Sequence, residues 1–155
     1  MEKILVVEDD EDIRDLLTET LKKWGYEPVL AENGKVGLDK FQTDSFSLVI
    51  TDIRMPAMDG LTMLKTMKKT DSKIPIIVIT GYPSVDSAVE SLVEGADHYL
   101  VKPINMNDLQ AKIKKSFEKR KMQKALASTK IANIVLVLSI PLWIIMGFFL
   151  ARLFE

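Results

Sequence analysis

Five side chains carry the chemistry this sequence can offer: the carboxylates of Glu8, Asp9 and Asp52, the hydroxyl of Thr80 and the amine of Lys102. Each stands where a short apolar run stops. Three carboxylates brought to one edge repel one another unless a cation sits among them. Hard oxygen donors of this kind, with positions left open for water, suit Mg²⁺. A carboxylate can serve as a nucleophile toward phosphorus, while a metal, a hydroxyl and an ammonium hold the phosphoryl oxygens. Acids at strand ends also act simply as helix caps and turn formers. That bland role does not account for three acids, a hydroxyl and an amine at four strand ends together.

The elements that must position these groups follow from hydrophobic periodicity. Residues Ile4 to Val7, Ser47 to Ile50 and Ile74 to Ile79 are short, β-branched and apolar throughout, as in strands covered on both faces. Pro28 to Ala31 and His98 to Val101 are weaker runs of the same type. Between them, Ile13, Leu16, Leu17, Leu21 and Trp24 recur at helical spacing, and Gly25 supplies a left-handed cap. Asp10 is expected to cap this first helix. Further helices fit Lys35 to Phe41, Leu61 to Lys69, Ser84 to Glu94 and Asn107 onward, with Asn105 and Asp108 as a capping pair. Five strands alternating with five helices predict an α/β fold with a doubly wound, five-stranded parallel sheet. Ligands of such sheets sit at the carboxyl ends of the strands, where the five chemical groups fall.

Composition narrows the alternatives. The chain has 155 residues, with 22 acidic and 21 basic side chains, one His and no Cys. The lack of Cys excludes disulfides, thiolate metal sites and a Cys nucleophile, and a single His excludes multi-His zinc sites. The near balance of charge hides an asymmetry. Residues 1–60 hold 14 acids and 7 bases, whereas residues 111–155 hold 2 acids and 9 bases. The N-terminus lacks the apolar core of a signal peptide, so the head is expected to stay in the cytoplasm.

Four motifs in order make a specific likeness. They are Ile4-Leu5-Val6-Val7-Glu8-Asp9-Asp10, the run from Val49 through Asp52 and Met55-Pro56 to Asp59-Gly60, Ile79-Thr80-Gly81-Tyr82, and Gly95-Ala96-Asp97-His98-Tyr99-Leu100-Val101-Lys102-Pro103-Ile104. Over roughly residues 1–120 the sequence resembles the receiver domain of two-component response regulators, which implies that the doubly wound sheet is flavodoxin-like. The resemblance implies that Asp52 accepts a phosphoryl group from the phosphohistidine of a sensor histidine kinase or phosphotransfer protein. Glu8, Asp9, Asp52 and the main-chain carbonyl of Arg54 would hold Mg²⁺. Lys102 and Thr80 would bind the phosphoryl group, and the peptide before Pro103 would be cis. Tyr99 would swing inward as Thr80 moves, reshaping the face of helix four, strand five and helix five, the usual output surface. Glu8 stands where many members have Asp, and the extra methylene still leaves an oxygen ligand in place. The resemblance implies a phosphorelay receiver that catalyses only its own phosphorylation and dephosphorylation. His98 lies within a strand and is read as structural, and Met55, Met58, Met63 and Met67 as loop and core filling.

The tail differs. Residues 131–151 carry no charge. As a helix these residues would span roughly 31 Å, close to the ~30 Å hydrocarbon core of a bilayer. Only Asn133 and Ser139 interrupt the apolar run, which predicts a transmembrane helix. Lys112, Lys114, Lys115, Lys119, Arg120, Lys121, Lys124 and Lys130 precede it, so the head is expected on the cytoplasmic side of the membrane as a single-pass protein. The expected organisation is a receiver at 1–118, a basic helical linker at 119–130, the span at 131–151 and a short tail at 152–155. The lysines suit anionic lipid, and the absence of interleaved aromatics argues against nucleic acid. The expected function is a membrane-anchored, single-domain response regulator that signals to an output protein through phosphorylation-dependent contacts. A phosphate sink, or a non-phosphorylated tethered platform, are the alternatives. A phosphorylation-dependent homodimer is a further expectation, with Gly147-x-x-x-Ala151 as a weak pairing signal between spans.

Overall fold

In the computed structural model, which describes residues 1–126, strands and helices alternate from the start. The order is β1 (Lys3–Val7), α1 (Glu11–Lys23), β2 (Glu27–Ala31), α2 (Gly34–Thr43), β3 (Leu48–Asp52), α3 (Gly60–Thr70), β4 (Ile76–Thr80), α4 (Val85–Val93) and β5 (His98–Val101). Residues 106–126 are helical and form α5. All neighbouring strands pair in parallel, in the order β2-β1-β3-β4-β5. This is the expected flavodoxin-like fold, with β3 at the centre and β5 on an edge.

The near-continuous apolar strands are explained by what covers them. Leu5, Val7, Val49, Ile76 and Val78 face one layer, where α3 buries Met63, Leu64 and Met67 and α2 adds Val36 and Phe41. Ile4, Val6, Leu48, Ile50, Ile77 and Ile79 face the other, where α1 contributes Leu17 and Leu21 and α5 contributes Leu109 and Ile113. Each fully buried aliphatic side chain is worth about 1.5–3 kcal/mol of transfer free energy, so the alternation along each strand fixes which helix lies on which face. Met63 and Met67 are thus core residues.

Helix ends follow local chemistry. Asp10 has extended backbone and accepts the Ile13 N–H, capping α1 as expected. At the other end Gly25 has φ of +85°, the left-handed geometry that glycine adopts without a Cβ penalty. Asn105 accepts the N–H groups of Asn107 and Asp108, while the Asp108 carboxylate meets Lys112 Nζ at 3.2 Å. That carboxylate is therefore engaged along the helix, so the expected capping pair is realised from the Asn105 side. One expected core position is corrected: Leu16 is 49% exposed, because the buried face of α1 turns on Leu17 and Leu21. Strand β3 also runs two residues further than its apolar stretch, to Asp52, since the buried Thr51 continues the ladder opposite Val7 and Val78.

Two compact units divide the chain, Met1–Arg120 and Lys121–Glu155. In the second unit the described residues, 121–126, are helical and exposed. Among the described residues no helix is long and apolar enough to cross a membrane. The segment 131–151 expected to do so lies outside them, as do residues 127–130 of the expected linker and the tail 152–155.

At the amino end of the sheet, Asp97 accepts the Ile76 N–H at 3.1 Å and bonds Lys119 at 2.7 Å and Lys68 at 3.4 Å. Burial pushes its carboxyl upward, but the Lys119 hydrogen bond, the Lys68 charge and the Ile76 amide together hold it below its usual range. A depressed native pKa stabilises the fold above the unfolded value and loses that contribution as pH falls through the native one. Asp97→Asn should therefore cost about 1.5–3 kcal/mol at neutral pH. In urea titrations the gap between variant and wild type should shrink progressively as pH is lowered below the ordinary aspartate range; a gap independent of pH would contradict the charge pairing.

Candidate functional site

The carboxyl edge of the sheet gathers the expected groups. Glu8 follows β1, Asp52 ends β3, Thr80 ends β4 and Lys102 follows β5. The strand order in the sheet places β1, β3, β4 and β5 side by side, and register puts Asp52 opposite Ile79 and Thr80 opposite Val101. Asp52 is only 6% exposed and Thr80 is fully buried. Glu8 is buried too, whereas Asp9 lies at the surface.

Lys102 holds the acids together. Its Nζ lies 2.6 Å from Asp52 Oδ2 and 2.8 Å from Glu8 Oε2. Burial pushes the ammonium down, yet the hydrogen bonds to Asp52 and Glu8 outweigh it and hold its pKa above the ordinary lysine value. Glu8 is raised, because burial penalises its charge more than Lys102 compensates it. One cation divided between two carboxylates leaves each under-neutralised. The second oxygen of Asp52 accepts the N–H groups of Ile53 and Arg54, the latter at 3.1 Å. Donors thus reach both oxygens of the Asp52 carboxylate.

Glu8, Asp9 and Asp52 each offer a carboxylate oxygen, and the three lie within 4.8 Å of one another. Such a set of hard oxygen donors fits Mg²⁺, with Lys102 already removing part of the surplus negative charge. Arg14 adds rigidity by donating to the Glu8 and Asp9 carbonyls at 2.7 and 2.8 Å. Its role was not foreseen from sequence, where it reads as one charge on an exposed helix face. Gly60 was also quoted only as part of a motif. A Cβ there would fall 1.8 Å from the Asp52 carbonyl oxygen, so the α3 N-terminus can close onto the strand only without a side chain.

Around this core the remaining groups fall into place. The Tyr82 N–H donates to Thr80 Oγ1 at 3.2 Å. Tyr99 is half-buried, and its hydroxyl lies 3.0 Å from Ser87 Oγ on α4. The Lys102–Pro103 peptide is cis. His98 sits half-buried in β5, with its imidazole held below the usual range by burial and by Lys112. Met55 and Met58 pack beside the core from the β3–α3 loop.

Residues 4–114 match the family model for the response regulator receiver domain. The chain belongs to that family. The transcriptional regulatory protein ZraR of Escherichia coli K12 is 42% identical over 113 residues, covering 73% of this chain and 26% of ZraR. The regulatory protein AtoC of the same organism is 34% identical over 122 residues, covering 79% of this chain and 26% of its own. This chain therefore spans about a quarter of the length of these curated relatives. Among solved structures, a CheY-like receiver domain protein from Methanospirillum hungatei superposes with a TM-score of 0.77 at 36% identity, covering 79% of this chain and 98% of that one. The response regulator TrrA from Thermotoga maritima, solved in complex with Mg(2+)-BeF, gives a TM-score of 0.70 at 41% identity, covering 75% and 99%. Receivers are phosphorelay modules that work with sensor histidine kinases or phosphotransfer proteins, and the acidic cluster of this receiver is a candidate Mg²⁺ site.

The charge balance of the receiver edge makes Lys102 the most sensitive side chain in the site. Lys102→Met keeps the length of the stem but leaves Glu8 and Asp52 buried without a cation. In metal-free buffer at neutral pH the variant should lose about 3–5 kcal/mol, the usual consequence of orphaning a buried charge. Chemical denaturation checks this, and a loss below about 1 kcal/mol would mean that solvent already screens the pair.

Proposed function

We propose that this chain accepts a phosphoryl group on Asp52 from a phosphohistidine and, anchored through residues 131–151 at the cytoplasmic face of a membrane, signals by protein contacts that depend on phosphorylation. The observation that carries the reading is the pairing of Asp52 with Lys102 on the strand end beside Thr80. Among the described acids, Asp52 ends the central strand and combines low exposure with donors on both oxygens.

The chemistry follows from these positions. A carboxylate oxygen of Asp52 attacks phosphorus, the P–O bond forms as the P–N bond of the donor breaks, and the departing imidazole nitrogen keeps the electron pair. The N–H groups of Ile53 and Arg54 orient the nucleophile. Lys102, on a flexible stem already beside Asp52, transfers its charge from the carboxylate to the phosphoryl oxygens, and the Thr80 hydroxyl holds another of them. Glu8, Asp9, Asp52 and the Arg54 carbonyl would hold Mg²⁺, which would supply further neutralisation of phosphoryl charge. Thr80 then exchanges its bond from the Tyr82 amide, and Tyr99 leaves Ser87 to follow it inward. That movement changes the α4–β5–α5 face presented to an output protein or to a second copy of the chain.

In this reading residues 1–118 are the receiver, 119–130 a basic linker, 131–151 the span and 152–155 its far end. Support comes from the charge-free length of 131–151 and from eight preceding lysine and arginine residues, which bias topology and attract anionic headgroups.

Three outcomes test the proposal. Acetyl phosphate with Mg²⁺ should place one base-labile phosphoryl group on the protein, and Asp52→Asn should abolish it; labelling of that variant at the wild-type level would move the acceptor elsewhere. Asp9→Ala should slow the labelling at least tenfold at limiting Mg²⁺. Full-length protein should sediment with membranes and resist carbonate, whereas a form lacking residues 131–155 should be soluble and still accept phosphate. Release of the full-length chain by high salt would show that the segment does not span a bilayer.

A further inference from the structure

The two ends of the sheet carry different charge, and the helices explain why. Helices of a doubly wound fold run back against the strands, so helix starts collect at the carboxyl edge and helix ends at the amino edge. Acids complement the dipole at a helix start and lysines at a helix end. The caps Asp10 and Asp59 and the first-turn acids Glu11 and Asp12 follow the first half of this rule, and the last-turn residues Lys22, Lys23, Lys68 and Lys69 follow the second. At the carboxyl end, acids run without a break from Glu8 to Asp12 and are joined by the exposed Glu32 and Asp86, against Lys35 and Arg54 as the exposed cations there.

At the amino end the acids are largely neutralised. Asp44 pairs with Lys3 at 2.6 Å, Asp71 with Arg120 at 3.3 Å, and Asp97 with Lys119 and Lys68. Lys22, Lys69 and Lys73 are exposed and, among the described residues, meet no acid, while Lys23 approaches Glu19 only at 4.0 Å with both side chains solvated. Glu2, Glu27 and Glu118 are exposed too, so this end is mildly basic, and the larger effect is the gradient from the acidic end. Because α1 and α3 cover opposite faces of the sheet, their terminal lysines bracket its amino edge from both sides. Cations spread over two layers fit an extended anionic surface better than a single small anion.

The chain leaves the receiver at this same end. Arg120 near the end of the first unit donates to the Phe46 and Ser47 carbonyls, just ahead of β3. Residues 121–130 then separate it from the charge-free segment. Ten residues reach at most about 35 Å even when fully extended.

We propose that the amino end of the receiver sheet is a lipid-facing surface, on which the exposed lysines of α1 and of α3 with its following loop rest against anionic headgroups and leave the acidic, reactive end turned toward the cytoplasm. The proposal rests on residues 131–151 holding the chain to a membrane. It assigns lipid contact to residues far in sequence from the basic run, and it removes Lys119 and Arg120 from that role because acids and carbonyls of the receiver already engage them.

The chain has no Cys, so a single introduced Cys carries one label. Ser72→Cys in the exposed α3–β4 loop marks the amino end, and Asn107→Cys at the exposed start of α5 marks the carboxyl end. Each is labelled with a fluorescent donor in the full-length chain and reconstituted into vesicles with acceptor-labelled headgroups, made of phosphatidylcholine with phosphatidylglycerol or of phosphatidylcholine alone. In the anionic vesicles energy transfer from position 72 should exceed that from position 107, and it should fall when phosphatidylglycerol is omitted. Lys22→Gln with Lys69→Gln should lower the ratio of docked to free heads about tenfold or more, since each lysine near such a surface is worth about fivefold in affinity. Lys35→Gln with Lys114→Gln removes the same charge elsewhere and should leave the signal unchanged. A signal at position 72 that ignores lipid charge would overturn the surface, as would equal losses from the two lysine pairs, or a label at position 107 that lies closer to the lipid. Carbonate extraction of the same vesicles tests the underlying reading separately. An extracted chain has no span, and a charge-dependent signal from it would still support the lysine surface; an embedded chain without that signal would keep the span and refute the surface.

Discussion

Two buried carboxylates, from strands β1 and β3, share the single ammonium of Lys102 from the end of β5. Like charges this close in a partly dehydrated edge would force protonation or separation of the strand ends. The ammonium lets the two stay near one another, and it imposes a requirement on the topology: the edge strand must deliver Lys102 across β4 to the centre of the sheet. Parallel pairing in the order β1-β3-β4-β5 does this by bringing the carboxyl ends to one side. The rest of the site depends on that compensation. The oxygens of Glu8, Asp9 and Asp52 can stay close enough to suit a hard cation, and Thr80 can remain buried with its hydroxyl accepting a backbone amide.

The helices around the sheet are not held alike. Leu17, Leu21, Met63, Leu64, Met67, Leu109 and Ile113 fasten α1, α3 and α5 by apolar burial. In α4 the polarity is reversed. Its buried residue is Ser91, its half-buried Ser87 bonds Tyr99 and Ser84, and Val85, Val89, Leu92 and Val93 are exposed. Hydroxyl contacts contribute about 0.5–1.5 kcal/mol each, against about 1.5–3 kcal/mol for a buried aliphatic side chain. The element touching Tyr99 is therefore the one least secured by the core. That suits a helix whose position must respond to events at Thr80, and it places apolar surface where a partner could meet it.

The last turns of the first unit are secured by charge. Arg120 donates to the Phe46 and Ser47 carbonyls at 3.0 and 2.8 Å and reaches Asp71, while Lys119 pairs with Asp97. Two members of a basic run that could pass as a uniformly solvated face are thus committed to the receiver. Composition cannot show this distinction, because it depends on which loops stand opposite each side chain.

By itself the sequence determined the fold class and the five chemical groups, because apolar runs covered on both faces must be short parallel strands and polar residues ending them must fall at one edge. It also placed the Asp10 and Asn105 caps and the Gly25 turn, which depend on neighbours only a few residues away. Tertiary structure decided what depends on distant partners. Leu16 belongs to a helical stripe but lies just off the buried face, and Thr51 continues a strand beyond its apolar run because both neighbouring strands pair with it. The empty Cβ position of Gly60, the Arg14 bonds to two carbonyls and the stacking of the Arg54 guanidinium over the Tyr82 ring link residues whose proximity exists only after β1, β3 and β4 align. Local periodicity reports burial and hydrogen-bonding needs, whereas the identity of the group that meets each need is set by packing across the sheet.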